Sequence, residues 1–273
     1  MITADIHIHT AYSHGKNSPE EMLNGAIEKG LDLIGFSEHS PRPNGYDYSH
    51  EYREKLSAHL EDYLREVSEL KTNNLGCKVL LGMEMDWLPN EQDFIKAACA
   101  RADFDYFLGS VHFLDTWGFD DSAEVWSEAS QSQCEKLYRQ YFSIWENMLA
   151  SGLFQVAAHP DLIKIFSVDR FHIWLEKAAA RSQISHCLNI LRKMGMSMEI
   201  SSAGLRKPCA EIYPCPDIMR IAAAVGVPVS FASDAHMAGD IAFAFPTLAA
   251  YARSFGFGEY VYFDHGAVIA RPI

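Results

Sequence analysis

Residues 1–36, MITADIHIHTAYSHGKNSPEEMLNGAIEKGLDLIGF, read as one strand–helix–strand unit. From Ala4 to His9, Ile6 and Ile8 alternate with His7 and His9. That two-residue period belongs to a strand, and it puts both imidazoles on one face and both isoleucines on the other. The following helix is marked at both ends: Ser18 as N-cap, Pro19 at the first helical position, Glu21 completing a capping box, and Gly30 as the stop. Leu31 to Phe36 is then an apolar run of the length expected for a buried strand.

The same alternation continues outward from this unit. Tyr52, Leu56, Leu60, Tyr63, Val67 and Leu70 recur at helical spacing and predict a helix over 51–71. Next come strand KVLLGME (78–84), a helix from NEQDFIKAACARA (90–102), strand YFLGSVH (106–112), and a loop and helix to Ala150. Strand FQVAAHP (154–160), helical sequence to Met194, strand SMEIS (197–201), helix CPDIMRIAAAVG (215–226), strand VPVSFASDAH (227–236) and helix TLAAYARSFG (247–256) complete seven βα units. A short strand, EYVYF (259–263), follows. Repeated βα units give a parallel sheet, and seven in a chain of 273 residues predict an α/β barrel of parallel strands rather than an open sheet, with 1–273 as a single domain.

Composition narrows the partners. Thirty-six acids against 23 Lys and Arg give a formal net charge of −13, which disfavours nucleic acid by repulsion while leaving room for a small anionic substrate. Such a substrate needs a local positive centre, and bound divalent metals are the strongest kind. Neither a signal-type N-terminus nor eighteen consecutive apolar residues occurs, so the expectation is a cytoplasmic protein without a membrane span. The six cysteines form no C-x-x-C and read as reduced, packing thiols.

In barrels of parallel strands the chemistry lies at the carboxyl ends of the strands. There this sequence places His7, His9 and His14, then His39, Glu84, His112, His159, Asp234 and His236. One such histidine is an ordinary loop residue. Nine candidate ligands at one end of six strands imply a shared site, and exceed what one ion can hold, so two or three ions are expected. Imidazole with carboxylate suits Zn, Mn or Fe. His50, His59, His172, His186 and His265 fall in expected helices, loops or the tail and read as background.

DIHIHTAYSHG, FSEHSPRP, GMEMDW, LGSVHFLD, AHPDLIKIF, EISSAGLRKP with EIYPCPDIM, and SFASDAH together resemble the PHP superfamily, the polymerase and histidinol phosphatase group, across essentially the whole chain. HPDLIKIF and SSAGLRKP with EIYP resemble its histidinol-phosphate phosphatase branch. The resemblance implies a distorted (β/α)7 barrel with three divalent metal ions. His7, His9, Glu84 and Asp234 would hold the first, and Glu84 would bridge to a second held also by His112 and His159. His14, His39 and His236 would hold the third. Ser201-Ser202 departs from the family pattern, where Asn is more usual.

The implied activity is hydrolysis of a small phosphate monoester, L-histidinol phosphate, by attack of a metal-bound hydroxide without a phosphoenzyme. Arg42 and Arg206 are the candidate phosphate grips, with Lys207 and Lys164 behind them. Asp161 and Glu211 suit the cationic end of such a substrate, and Asp161 is also a candidate to orient a ligand or protonate the leaving alkoxide. The segment FLDTWGFDDSAEVW (113–126) reads equally as a lid or as a surface loop anchored by Trp117 and Trp126. The rivals are a phosphoesterase acting on nucleotides, an amidohydrolase, which would carry a bridging lysine in place of Glu84, and a metal-binding protein without turnover.

Overall fold

The computed structural model describes residues 1–72 and 76–273. Its strands, in chain order, are β1 (Ala4–Ile8), β2 (Leu33–Phe36), β3 (Lys78–Asp86), β4 (Tyr106–Ser110), β5 (Phe113–Leu114), β6 (Trp117–Gly118), β7 (Val156–Ala157), β8 (Ser197–Ser201), β9 (Val229–Ala232), β10 (Glu259–Asp264) and β11 (Ala267–Pro272). The helices are α1 (Pro19–Glu28), α2 (His50–Thr72), α3 (Gln92–Cys99), α4 (Glu124–Glu128), α5 (Gln131–Ala150), α6 (Val168–Leu175), α7 (Ala178–Lys193), α8 (Pro216–Val225) and α9 (Phe245–Ser254). The capping box opens α1 as the sequence predicts: Ser18 Oγ accepts the Glu21 amide, and Glu21 accepts the Ser18 amide at 2.9 Å.

Seven strands run parallel in the order β1-β2-β3-β4-β7-β8-β9, the distorted (β/α)7 barrel. Stagger between neighbours sets the site. β3 pairs with β2 through Lys78–Leu81 and with β4 through Gly82–Asp86, so its second half rises past β2. There the Ser40 amide donates to the Glu84 carbonyl and the Glu84 amide to that of Glu38, each at 2.9 Å, which seats the loop after β2 beside Glu84. The seam between β1 and β9 is closed mainly at its carboxyl end, where the His9 amide donates to the Ala235 carbonyl at 2.9 Å. Below, the buried Asp5 carboxylate accepts the Ser233 hydroxyl and the amides of Ser233 and Ala242, bonding groups that would otherwise be orphaned in the core.

Tyr106 fills the barrel interior. Its hydroxyl donates to the Ile6 carbonyl at 2.7 Å, and its ring occupies the space left by Gly82, where an added Cβ would stand 2.5 Å from Tyr106 Cζ. Tyr63 donates to the Gly82 carbonyl at 2.7 Å, so this backbone is held from outside as well. Gly82→Ala therefore overpacks a fixed ring. Chemical denaturation is expected to show a loss of about 1–3 kcal/mol, whereas an unchanged midpoint would mean that Tyr106 repacks freely.

Three elements differ from the sequence reading. The strand expected over 154–160 pairs only at Val156–Ala157, because the chain turns at His159, whose φ is positive, and its amide goes to Glu199 Oε2 at 2.7 Å instead of continuing a ladder. The helical sequence to Met194 divides into α6 and α7. Within 113–126, β5 and β6 form a small antiparallel hairpin. The C-terminal strand is real but lies outside the barrel, pairing antiparallel with β11.

Candidate metal centre

Glu84, fully buried near the carboxyl end of β3, is the hub of the site. Its Oε2 lies 2.9 Å from His39 Nδ1, 3.3 Å from His7 Nε2 and 3.4 Å from His9 Nε2. Its Oε1 lies 2.8 Å from His159 Nε2 and 3.6 Å from His112 Nε2. Asp234, on a positive-φ turn after β9, places Oδ1 3.3 Å from His9 Nε2 and 3.6 Å from His236 Nδ1. The His236 ring centroid is 4.3 Å from that of His9 and 4.1 Å from that of His14. All nine sequence-derived candidates are thus brought together.

The donors are arranged for cations rather than for one another. His7 Nε2, both nitrogens of His9, His39 Nδ1, His236 Nε2 and Glu84 Oε2 are buried without a hydrogen-bond partner. Leaving so many buried polar atoms unpaired is costly, and a metal ion satisfies them together. The sets His7, His9, Asp234, then His7, Glu84, His159, then His9, His39, His236 each bring ligand atoms within 4.8 Å of one another. Burial opposes ionisation of Glu84, yet the charges of His7 and His112 hold its carboxyl well below the usual range. Burial, reinforced by the charge of His9, keeps His39 far below the ordinary imidazole value and pushes His236 down to about 2, so both rings are neutral donors at pH 7.

The sequence reading missed the residues that orient these ligands. Glu199 Oε1 lies 3.0 Å from His7 Nδ1, and Asp86 Oδ1 lies 2.7 Å from His112 Nδ1. A carboxylate on the far nitrogen of a metal-binding imidazole fixes its tautomer and turns its other nitrogen inward. Glu38 accepts the Thr10 amide at 2.8 Å and lies 3.4 Å from His9 Nδ1. Asp86 was findable, since it stands two residues after Glu84 on the same strand face. Glu199 was equally visible as an acid at the centre of an otherwise buried strand.

The charged candidates around the ligand cluster separate into two groups. Lys207 lines the central pocket of about 340 Å³, together with Glu84, His112, His159 and the acids Asp120 and Asp121. Arg42, Asp161, Lys164, Arg206 and Glu211 do not line it. Arg42 is buried against Asp86, with Nε 2.6 Å from Oδ2 and its guanidinium 5.0 Å from the Tyr48 ring centroid. Asp161 accepts from Lys164 at 2.7 Å and from the Cys215 amide at 2.8 Å, while Glu211 pairs with His172 at 2.8 Å. Arg206 bonds Asp240 and the carbonyls of Ser233 and Asp234, and so braces the turn carrying Asp234 and His236. A phosphate grip for Arg206, and a mouth position for Asp161 and Glu211, therefore do not match their surroundings in the fold.

The family model described as PHP domain matches residues 5–203. The chain belongs to the PHP domain family. Among relatives of this PHP protein, a Deinococcus radiodurans protein named "probable histidinol-phosphatase" is 35% identical over 263 residues, covering 96% of each chain. The histidinol-phosphatase of Bacillus subtilis is 29% identical, covering 90% of this chain and 97% of its own. A crystal structure of histidinol phosphate phosphatase from Lactococcus lactis, complexed with Zn, L-histidinol and phosphate, shares the fold with a TM-score of 0.77 at 20% identity, covering 98% of each chain. Among the described residues of the PHP protein, no helix is long and apolar enough to cross a membrane.

Proposed function

We propose that this PHP protein is a phosphoric monoester hydrolase that converts L-histidinol phosphate and water to L-histidinol and phosphate, a step of histidine biosynthesis placed in the cytoplasm. One observation carries the phosphatase chemistry: a single buried carboxylate, Glu84, stands within 3.6 Å of five imidazoles. The named histidinol-phosphatase relatives, matched over nearly their whole length, support the substrate.

Three divalent ions, Zn, Mn or Fe, are assigned to these donors. His7, His9, Glu84 and Asp234 would hold one; Glu84 with His112 and His159 would hold a second; His14, His39 and His236 would hold a third. Bound divalent ions supply Lewis acidity toward phosphoryl oxygens and generate a nucleophile from water at neutral pH. The chain does the rest. Glu199 and Asp86 fix the rings of His7 and His112, Arg206 braces the Asp234 turn, and Lys207 supplies the positive charge that meets the incoming phosphate at the pocket wall. Asp161, tied to Lys164 and to the start of α8, holds the segment after His159 in place.

The test is steady-state kcat/KM with Zn²⁺ or Mn²⁺ on L-histidinol phosphate beside nucleotides, sugar phosphates and p-nitrophenyl phosphate. L-histidinol phosphate is expected to lead by several orders of magnitude. Weak, indiscriminate turnover would overturn the substrate, and bound metal without turnover on any ester would overturn the enzyme reading.

A further inference from the structure

The wall of the central pocket carries Lys207 and, unforeseen from the sequence, the acids Asp120 and Asp121. Asp120 and Asp121 line the pocket from the segment after the β5–β6 hairpin, and among the described residues no Lys, Arg or His nitrogen lies within ion-pair distance of either carboxylate. Among the described residues, the only side chain that hydrogen-bonds Asp120 is Tyr48, whose hydroxyl donates to Oδ1 at 2.6 Å. The same pocket receives Glu84, whose Oε2 is buried and without a hydrogen-bond partner, so the acids share a cavity already built to take a ligand.

This segment is a fixed wall. Phe119 and Trp126 are fully buried, the Phe119 amide donates to the His112 carbonyl at 3.2 Å, and Trp126 Nε1 donates to the Phe119 carbonyl at 2.7 Å. Gly118 packs against the Tyr48 ring so closely that a Cβ there would collide with it. Of the two readings of 113–126, the anchored loop fits the packing, and its anchors hold the next two residues, Asp120 and Asp121, at the pocket.

We infer that Asp120 and Asp121 are specificity-determining residues that bind the cationic end of an amino-bearing phosphate monoester while its phosphate faces the metal ligands. Resting on the proposed function, this names what selects the substrate. L-histidinol phosphate carries an ammonium and an imidazole beyond its ester, and a cation placed beside two carboxylates that have no ion-pair partner gains charge-assisted hydrogen bonds. Asp161 and Glu211, first expected in this role, are already engaged, Asp161 by Lys164 and Glu211 by Lys164 and His172.

Asp120→Asn keeps an oxygen to accept from Tyr48, and Asp121→Asn alters an exposed side chain, so both variants are expected to fold with normal metal content. The readout is the ratio of kcat/KM on L-histidinol phosphate to that on p-nitrophenyl phosphate, which has no cation. It is expected to fall about tenfold for each variant and about a hundredfold for the double variant, chiefly through KM. An unchanged ratio, whether both substrates decline in proportion or neither declines, would overturn the inference. Failure of the wild-type protein to prefer L-histidinol phosphate would instead overturn the proposed function, so the two failures are distinguishable.

Discussion

Glu84→Gln is expected to lower kcat/KM on L-histidinol phosphate by at least about 10³-fold, since on the proposed assignment several kcal/mol of metal-derived transition-state stabilisation would depend on the ligands that hold the ions. The substitution is nearly isosteric, but it replaces a carboxylate oxygen with an amide NH2, which cannot ligate a cation. Glu84 oxygens lie 2.8–3.6 Å from the ligand nitrogens of His159, His39, His7, His9 and His112, so every set that includes this residue loses a donor at once. Metal content, measured by elemental analysis after gel filtration, falls in parallel, while circular dichroism stays native because the barrel pairing of β3 runs through its backbone. A Glu84→Gln protein with full metal content and wild-type turnover would remove Glu84 from the centre.

Stripping the protein with a chelator has the second large effect. Turnover is expected to fall by orders of magnitude and to return on adding Zn²⁺ or Mn²⁺, and the melting temperature to drop. Binding to the native state alone contributes about 4 kcal/mol for each ion present at a thousand times its dissociation constant. The pH dependence follows from the rings. Burial opposes charge on His7 and His112, but Glu199, Glu84 and Asp234 raise His7 well above the ordinary imidazole value, and Asp86 with Glu84 raises His112 to about 9. Below those values the metal-free site holds protons on these nitrogens, and a cation must displace them. Affinity therefore falls as pH falls, and metal binding at pH 7 releases protons into a weakly buffered solution. Chelation without loss of turnover or of stability would contradict the metal assignment.

How far the sequence could be read depended on the range of the interactions concerned. The capping box of α1 and the apolar face of α2 were legible, because they repeat within one or two helical turns. The strand over 154–160 was overestimated, because its apolar residues satisfy a strand pattern while the positive φ of His159 and the bond from its amide to Glu199 are tertiary events. The candidate ligands could be found because each follows an apolar run. The charged residues around them were harder: Arg206, Asp161 and Glu211 carry suitable chemistry in suitable loops, yet each is engaged by a neighbour distant in sequence.

By itself, then, the sequence determined the βα alternation, the parallel sheet and the residue types gathered at its carboxyl end, since these depend on hydrophobic period, helix caps and the residue closing each strand. Only the tertiary structure decided which atoms meet. His7 finds Glu199 on β8 across 192 positions of chain and Asp5 finds Ser233 just after β9 across 228, because closing the barrel brings the first strand back to the last two. It also set Asp120 and Asp121, rather than Asp161 and Glu211, at the pocket wall. Periodicity fixes which face of an element a side chain leaves from, but strand stagger and loop packing decide which cavity it enters.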